Sequence, residues 1–236
     1  MSTVYCFGDS NGAGADLNPG EKPFIHWFSK ELGLGYQNYS ENGASLGIIQ
    51  HRLIINHKKI TKDDIVLIVI PPDTRWYDQN KKAGFYSLVN YDIEDYYTKF
   101  LNKKTLEWFE YHHTLFTYTI QQILNNIGCY YIMFLSAGRL GGSHYELDID
   151  YNTFLSNEDM LNFLSKEKVI WDNYPHHLQP EEHQFMYNGA PWGSWDLTSP
   201  LIGSDGDPTE KGGHPTELGH KYISNMLLEK YYNDKK

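Results

Sequence analysis

Ser10 lies in the run Gly8-Asp9-Ser10-Asn11-Gly12, directly after the strand-like run Thr3 to Phe7. A serine on a tight turn after a strand presents its hydroxyl outward. A nearby imidazole can take its proton during attack on a carbonyl carbon. The imidazole on offer is His214, in Gly213-His214-Pro215. Gly43 lies in a second turn, Ser40-Glu41-Asn42-Gly43-Ala44-Ser45, where a side chain would block close approach. The backbone N–H groups of Ser10 and Gly43 can point at a developing oxyanion. A third turn, Pro71-Pro72-Asp73-Thr74-Arg75, falls on the same rim. The chemistry these types describe is acyl transfer through a serine.

Each residue has a plainer reading beside this one. Ser10 can be a turn residue bonded to its own backbone. His214 can be a loop histidine with a structural hydrogen bond, and Gly43 a turn before a helix. Arg75 can pair with Asp73 or Asp78 at the surface. Asp9 reads as structural, tying its turn together, and His220 as a packed helix histidine.

Positioning these residues requires strands that end on one rim. Val4 to Phe7, Tyr36 to Tyr39, Ile65 to Ile70 and Cys129 to Leu135 read as strands. Glu21 to Leu32, Ser45 to Asn56, Lys104 to Ile127 and Glu217 to Tyr231 read as helices, with Thr216 the N-cap of the last. Ile65 to Ile70 is an unbroken aliphatic run, as in a strand buried on both faces. The β-α-β-α alternation predicts a three-layer α/β/α domain on a parallel sheet. In such sheets ligands bind beyond the carboxyl ends of the strands, where the three turns lie. The stretch from Gly138 to Gly213 reads as a loop-rich insertion with one clear helix, Glu158 to Lys166. Its Trp171, Trp192 and Trp195 suit sugar stacking or the pinning of the insertion to the sheet. Asp73 to Asn102 is a smaller, Tyr-rich excursion.

The bulk composition narrows the function classes. A chain of 236 residues suits one domain, with a net charge of -10 that disfavours nucleic acid and anionic membranes as partners. The two cysteines, Cys6 and Cys129, fall in apolar runs, so no disulfide framework is expected and a reducing, cytoplasmic setting is. No signal-like segment precedes the first strand. His176, His177 and His183, with Glu181 and Glu182 between them, match no metal signature, so neither metal nor cofactor is expected. The 19 tyrosines and 6 tryptophans suit carbohydrate contact, or simply line a large interior.

Three blocks in order carry a resemblance to the SGNH/GDSL hydrolases. Phe7-Gly8-Asp9-Ser10 resembles the family's first block. Asn38 to Ser45, with its Asn-x-x-x-x-Gly-Ala-Ser pattern, resembles the second. Gly213-His214-Pro215-Thr216-Glu217-Leu218-Gly219-His220 resembles the last. The layout looks most like the divergent SGNH-like proteins of tailed phages, which would make a virion a second possible location. The resemblance implies a flavodoxin-like sheet, Ser10 as nucleophile, His214 as base and Gly43 at the oxyanion. It implies a small-molecule or carbohydrate ester as substrate. Two departures stand out. The third turn lacks the family's asparagine, so that Thr74 or Arg75 would stand in its place at the oxyanion, and Lys211 occupies the position of the family's acid, three residues before His214. A carboxylate from Asp205, Asp207 or Glu210, or a backbone carbonyl, is left to orient His214. These losses keep a second reading open, a non-catalytic binding or structural module.

Overall fold

The computed structural model describes residues 2–15, 17–71, 75–77, 85–87, 106–136, 147–155, 214–215 and 217–236, with the backbone alone for 75–77, 85–87 and 106–110. Four strands, β1 (Thr3–Phe7), β2 (Gly35–Asn38), β3 (Ile65–Ile70) and β6 (Tyr130–Leu135), form a parallel sheet in the order β2-β1-β3-β6. Val4 pairs with Tyr36 on one side and Ile65 on the other, and Ile65 pairs with Tyr130. Arg75–Tyr77 (β4) and Phe85–Ser87 (β5) form a separate antiparallel pair inside the excursion read from the sequence.

Side chains alternate across the sheet. Val4, Cys6, Leu67, Val69, Ile132 and Phe134 face one core. That core is closed by α2 (Phe24–Glu31) and α5 (Glu217–Asp234). Tyr5, Phe7, Val66, Ile68, Ile70 and Met133 face the other. There α3 (Leu46–Asn56) and α4 (Leu106–Ile127) supply Ile49, Leu53, Ile120 and Leu124. The result is the three-layer α/β/α arrangement with a flavodoxin-like strand order. Cys6 and Cys129 are free, buried thiols in opposite cores.

One helix boundary differs from the sequence expectation for an identifiable reason. Helix α2 starts at Phe24 rather than Glu21, because Pro23 is its N-cap, in extended backbone. A residue before proline avoids the helical region. Helix α4 stops where expected, with Gly128 at φ +75°. Residues 147–155 are part of the sheet's packing. Phe154 bridges in parallel to Met133, and Ile149, Phe154 and Leu155 are buried. The rest of the stretch from Gly138 to Gly213 lies outside the described residues apart from this segment, as do Trp192, Trp195, the histidines at 176, 177 and 183, and the helix read at Glu158 to Lys166. Among the described residues no helix is long and apolar enough to cross a membrane.

The chain leaves β1 to form β2 on one side, then returns to form β3 on the other. The crevice between the carboxyl ends of β1 and β3 is therefore the topological switch point. Ser10 follows β1 there.

Candidate active site

The first block is not the bare turn read from the sequence. Ser10 opens a four-residue helix, α1 (Ser10–Ala13), with Asp9 as its N-cap. The Asn11 N–H donates to Asp9 Oδ1 at 3.0 Å. The cap therefore serves Asn11. Ser10 is 4% exposed, and its hydroxyl has no hydrogen-bond partner among the described residues. A buried hydroxyl without a partner carries an uncompensated desolvation cost of about 1–3 kcal/mol. The plainer reading of Ser10, a hydroxyl bonded to its own backbone, is absent from the structure.

The second block is stitched to the first by backbone and amide bonds. Asn38 Nδ2 donates to Gly12 O at 2.8 Å, and the Ser40 N–H donates to Asn38 Oδ1 at 3.0 Å. The Glu41 N–H donates to Gly8 O at 3.0 Å. Arg52, on α3, donates to Tyr39 O at 2.7 Å and forms an ion pair with Glu41. Gly43 follows with φ +74°, in the left-handed region that disfavours any other residue. The loop bearing Gly43 is thus held against the loop bearing Ser10.

Close approach between these loops depends on missing side chains. A Cβ on Gly8 would lie 2.6 Å from Val69 Cβ, and one on Gly12 would lie 2.5 Å from Ser40 Oγ. Val69 is fully buried in β3 and has nowhere to move. Gly8→Ala is expected to destabilise the fold by about 1–3 kcal/mol through overpacking. Urea unfolding measures this, and an unchanged midpoint would show that the sheet yields at this point.

His214 leads into α5. The N-terminal turns of α2 and α5 lie side by side. The Phe24 N–H donates to His220 Nδ1 at 3.3 Å, and the Lys22 N–H donates to Glu217 Oε1 at 3.3 Å. At the other end of α5, Tyr130 at the start of β6 donates its hydroxyl proton to Asp234 Oδ2 at 2.7 Å. The helix therefore runs antiparallel to the strands, and its start lies at their carboxyl end. His214, half-buried, precedes that start by three residues. His220 is fully buried and stacks on Phe24, with ring centroids 5.9 Å apart. Burial, with the charge of His214 adding to it, pushes the His220 imidazole down to about 3.

Were His214 a base, His220 could not orient it in the way an acid would. A backbone N–H only donates, so Nδ1 of His220 accepts and the neutral ring carries its proton on Nε2. An acid's substitute must accept from His214. Lys211, Asp205, Asp207 and Glu210 lie outside the described residues, as do Asp73 and Thr74. Arg75 opens β4.

Two rim residues were not picked out by sequence reading. His113, on α4, is buried and its Nε2–H donates to Pro71 O at 2.9 Å, at the exit of β3. Ser136 follows β6. Its N–H donates to Ile70 O at 2.7 Å and its hydroxyl to Asp9 Oδ2 at 2.8 Å. The signal for Ser136 was available, as the first polar residue after an apolar strand.

No protein-family profile matches the chain. No curated protein matches it. Solved structures that superpose on it include a lipase from a goat rumen metagenome, at 13% identity over 98% of this chain and 97% of that one, with a TM-score of 0.44. A member of the lipolytic protein G-D-S-L family from Veillonella parvula superposes at 12% identity over 97% of each chain, with a TM-score of 0.46. Axe2, an acetylxylan esterase from Geobacillus stearothermophilus, superposes at 13% identity over 97% of this chain and 93% of that one, with a TM-score of 0.43. Likeness at this level assigns no substrate and no residue role to the present chain.

Proposed function

We propose that this chain is a serine hydrolase of esters, with Ser10 as nucleophile and His214 as general base. The observation that carries the reading is the buried Ser10 hydroxyl at the switch point, without a partner among the described residues. An idle serine would be expected to bond to its own turn or cap its own helix. Here Asp9 caps the helix and the serine hydroxyl is left over.

In the proposed reaction Ser10 Oγ bonds to the ester carbonyl carbon as His214 takes the hydroxyl proton. The oxyanion accepts from the N–H groups of Ser10 and Gly43. Thr74 and Arg75 are the remaining proposed donors, in the place of the family's asparagine. Collapse breaks the bond to the alcohol, which leaves with the proton from His214. Water then attacks the acyl-Ser10 ester by the same route and restores the free serine. The substrate class proposed is a small acyl ester or an O-acyl group of a carbohydrate.

The alternative is a non-catalytic binding module on the same fold. Lys211 at the acid position favours it, since a cation there disfavours an imidazolium. A fluorophosphonate separates the two. Its phosphorus bonds to Ser10 Oγ, fluoride leaves, and the proton passes to His214. The folded protein is expected to be labelled at Ser10, with labelling lost in Ser10→Ala. An unlabelled wild type, beside an esterase that reacts, would leave the binding module as the reading.

A further inference from the structure

We propose that Ser136 is a positioning residue for the nucleophile, acting through Asp9 on Ser10. The inference rests on the hydrolase reading above and extends it to a residue outside the three blocks.

The geometry begins with a carboxylate that is fully buried. Asp9 is 0% exposed. A buried charge of this kind is tolerable only where donors surround it. Ser136, itself 1% exposed, supplies one from the far side of β3. Strands β1 and β6 are not neighbours, since β3 lies between them. The bond therefore crosses the carboxyl end of β3. Ser136 is in turn fixed on β3 by its own N–H to Ile70 O.

Asp9 uses its two oxygens differently. Oδ2 accepts from Ser136, and Oδ1 accepts from the Asn11 N–H and so caps α1. The plane of the carboxylate is thus set by β6 at one oxygen and sets the start of α1 at the other. Ser10 is the residue between Asp9 and Asn11. Its Cα–Cβ direction follows from that cap, and its hydroxyl has no bond of its own among the described residues to correct an error. Loss of the Ser136 hydroxyl would remove one of the bonds that orient the carboxylate, and the nucleophile would shift with it. Misplacement by about 1 Å far from the chemistry can cost ~10²-fold in rate.

The test uses the whole chain and the fluorophosphonate probe, with the inactivation rate and the probe's apparent affinity measured separately. Ser136→Ala is expected to slow the inactivation step by about tenfold to a hundredfold, with affinity within about threefold of wild type. Ser136→Thr keeps the hydroxyl and is expected to recover most of the rate. Ser136→Cys, a weaker donor of similar size, should fall between. It also keeps the proposal falsifiable should the alanine variant not fold. A merely structural serine would change the melting temperature and leave the rate per folded molecule untouched. Wild-type labelling with inactivation rates equal to wild type in every folded variant that weakens or removes the hydroxyl, the cysteine one alone if alanine does not fold, would overturn the Ser136 proposal alone. No labelling of the wild type would overturn the hydrolase reading and this proposal with it.

Discussion

Replacing His214 by alanine is expected to lower kcat/KM on a small acyl ester by about 10³-fold or more, which is ~4 kcal/mol of transition-state stabilisation. A serine hydroxyl is a weak nucleophile at neutral pH and needs its proton removed as it attacks. Ser10→Ala should lose at least as much, because no other route to the acyl-enzyme remains. The more telling measurement is the double replacement. Groups that act on one proton fail together, so the double variant should be no slower than the slower single one. Losses that instead multiply would mean that His214 and Ser10 contribute independently, and His214 would then be a binding residue. The melting temperatures should stay close to wild type, since Ser10 makes no side-chain hydrogen bond among the described residues and His214 is only half-buried.

This site was legible in part because its pieces sit where strand ends must place them. Ile65–Ile70 was readable to the residue, since a six-residue apolar run rich in β-branched Ile and Val suits a strand buried on both faces. Its neighbours followed from the same alternation, and Gly128 marked the end of α4. Helix α1 was not readable, because four residues that include a glycine show no periodicity. The β4–β5 hairpin was hidden for a similar reason, as strands of three residues are too short to alternate recognisably. Helix α2 starts three residues later than its apolar spacing predicts, because Pro23 caps it in extended backbone.

Tertiary partnership was the least legible level. Nothing local in Ser136 announces a bond to a residue 127 positions away. The same holds for Phe154, whose bridge to Met133 draws part of an apparently loop-rich stretch onto the sheet edge. His220 was read as a packed helix histidine, which its burial bears out. Its bond to the Phe24 N–H, the link that aligns α5 with α2, depends on a contact 196 residues apart. Sequence thus showed that the turns of Ser10 and Gly43 lie at neighbouring strand ends. The bonds that hold those turns together had to be seen in three dimensions.

That His220–Phe24 link carries the other large expectation, a loss of stability in acid. The folded imidazole is pushed down to about 3 from an ordinary 6.5, chiefly by burial. Below 6.5 the unfolded chain takes up a proton that the folded chain refuses. Unfolding is therefore favoured by acid, and stability rises with pH across the window from about 3 to 6.5. The contribution is fully present above 6.5 and is lost as pH falls toward 3. Over the whole window it is on the order of 5 kcal/mol, with a slope of up to about 1.4 kcal/mol per pH unit. Other side chains of a folded protein also titrate over this range. The comparison must therefore be with a variant rather than with an absolute curve. His220→Asn is suitable, because its side-chain oxygen can accept the Phe24 N–H and it does not titrate. It is expected to be less stable than wild type at pH 8, where the smaller side chain leaves a void. Between pH 6.5 and 4 the difference should shrink, as the wild type falls on an additional slope that the variant lacks. Urea unfolding at half-unit pH steps measures both curves. Parallel curves across that window would show that His220 is not the proton acceptor, and that the start of α5 does not unlock by its protonation.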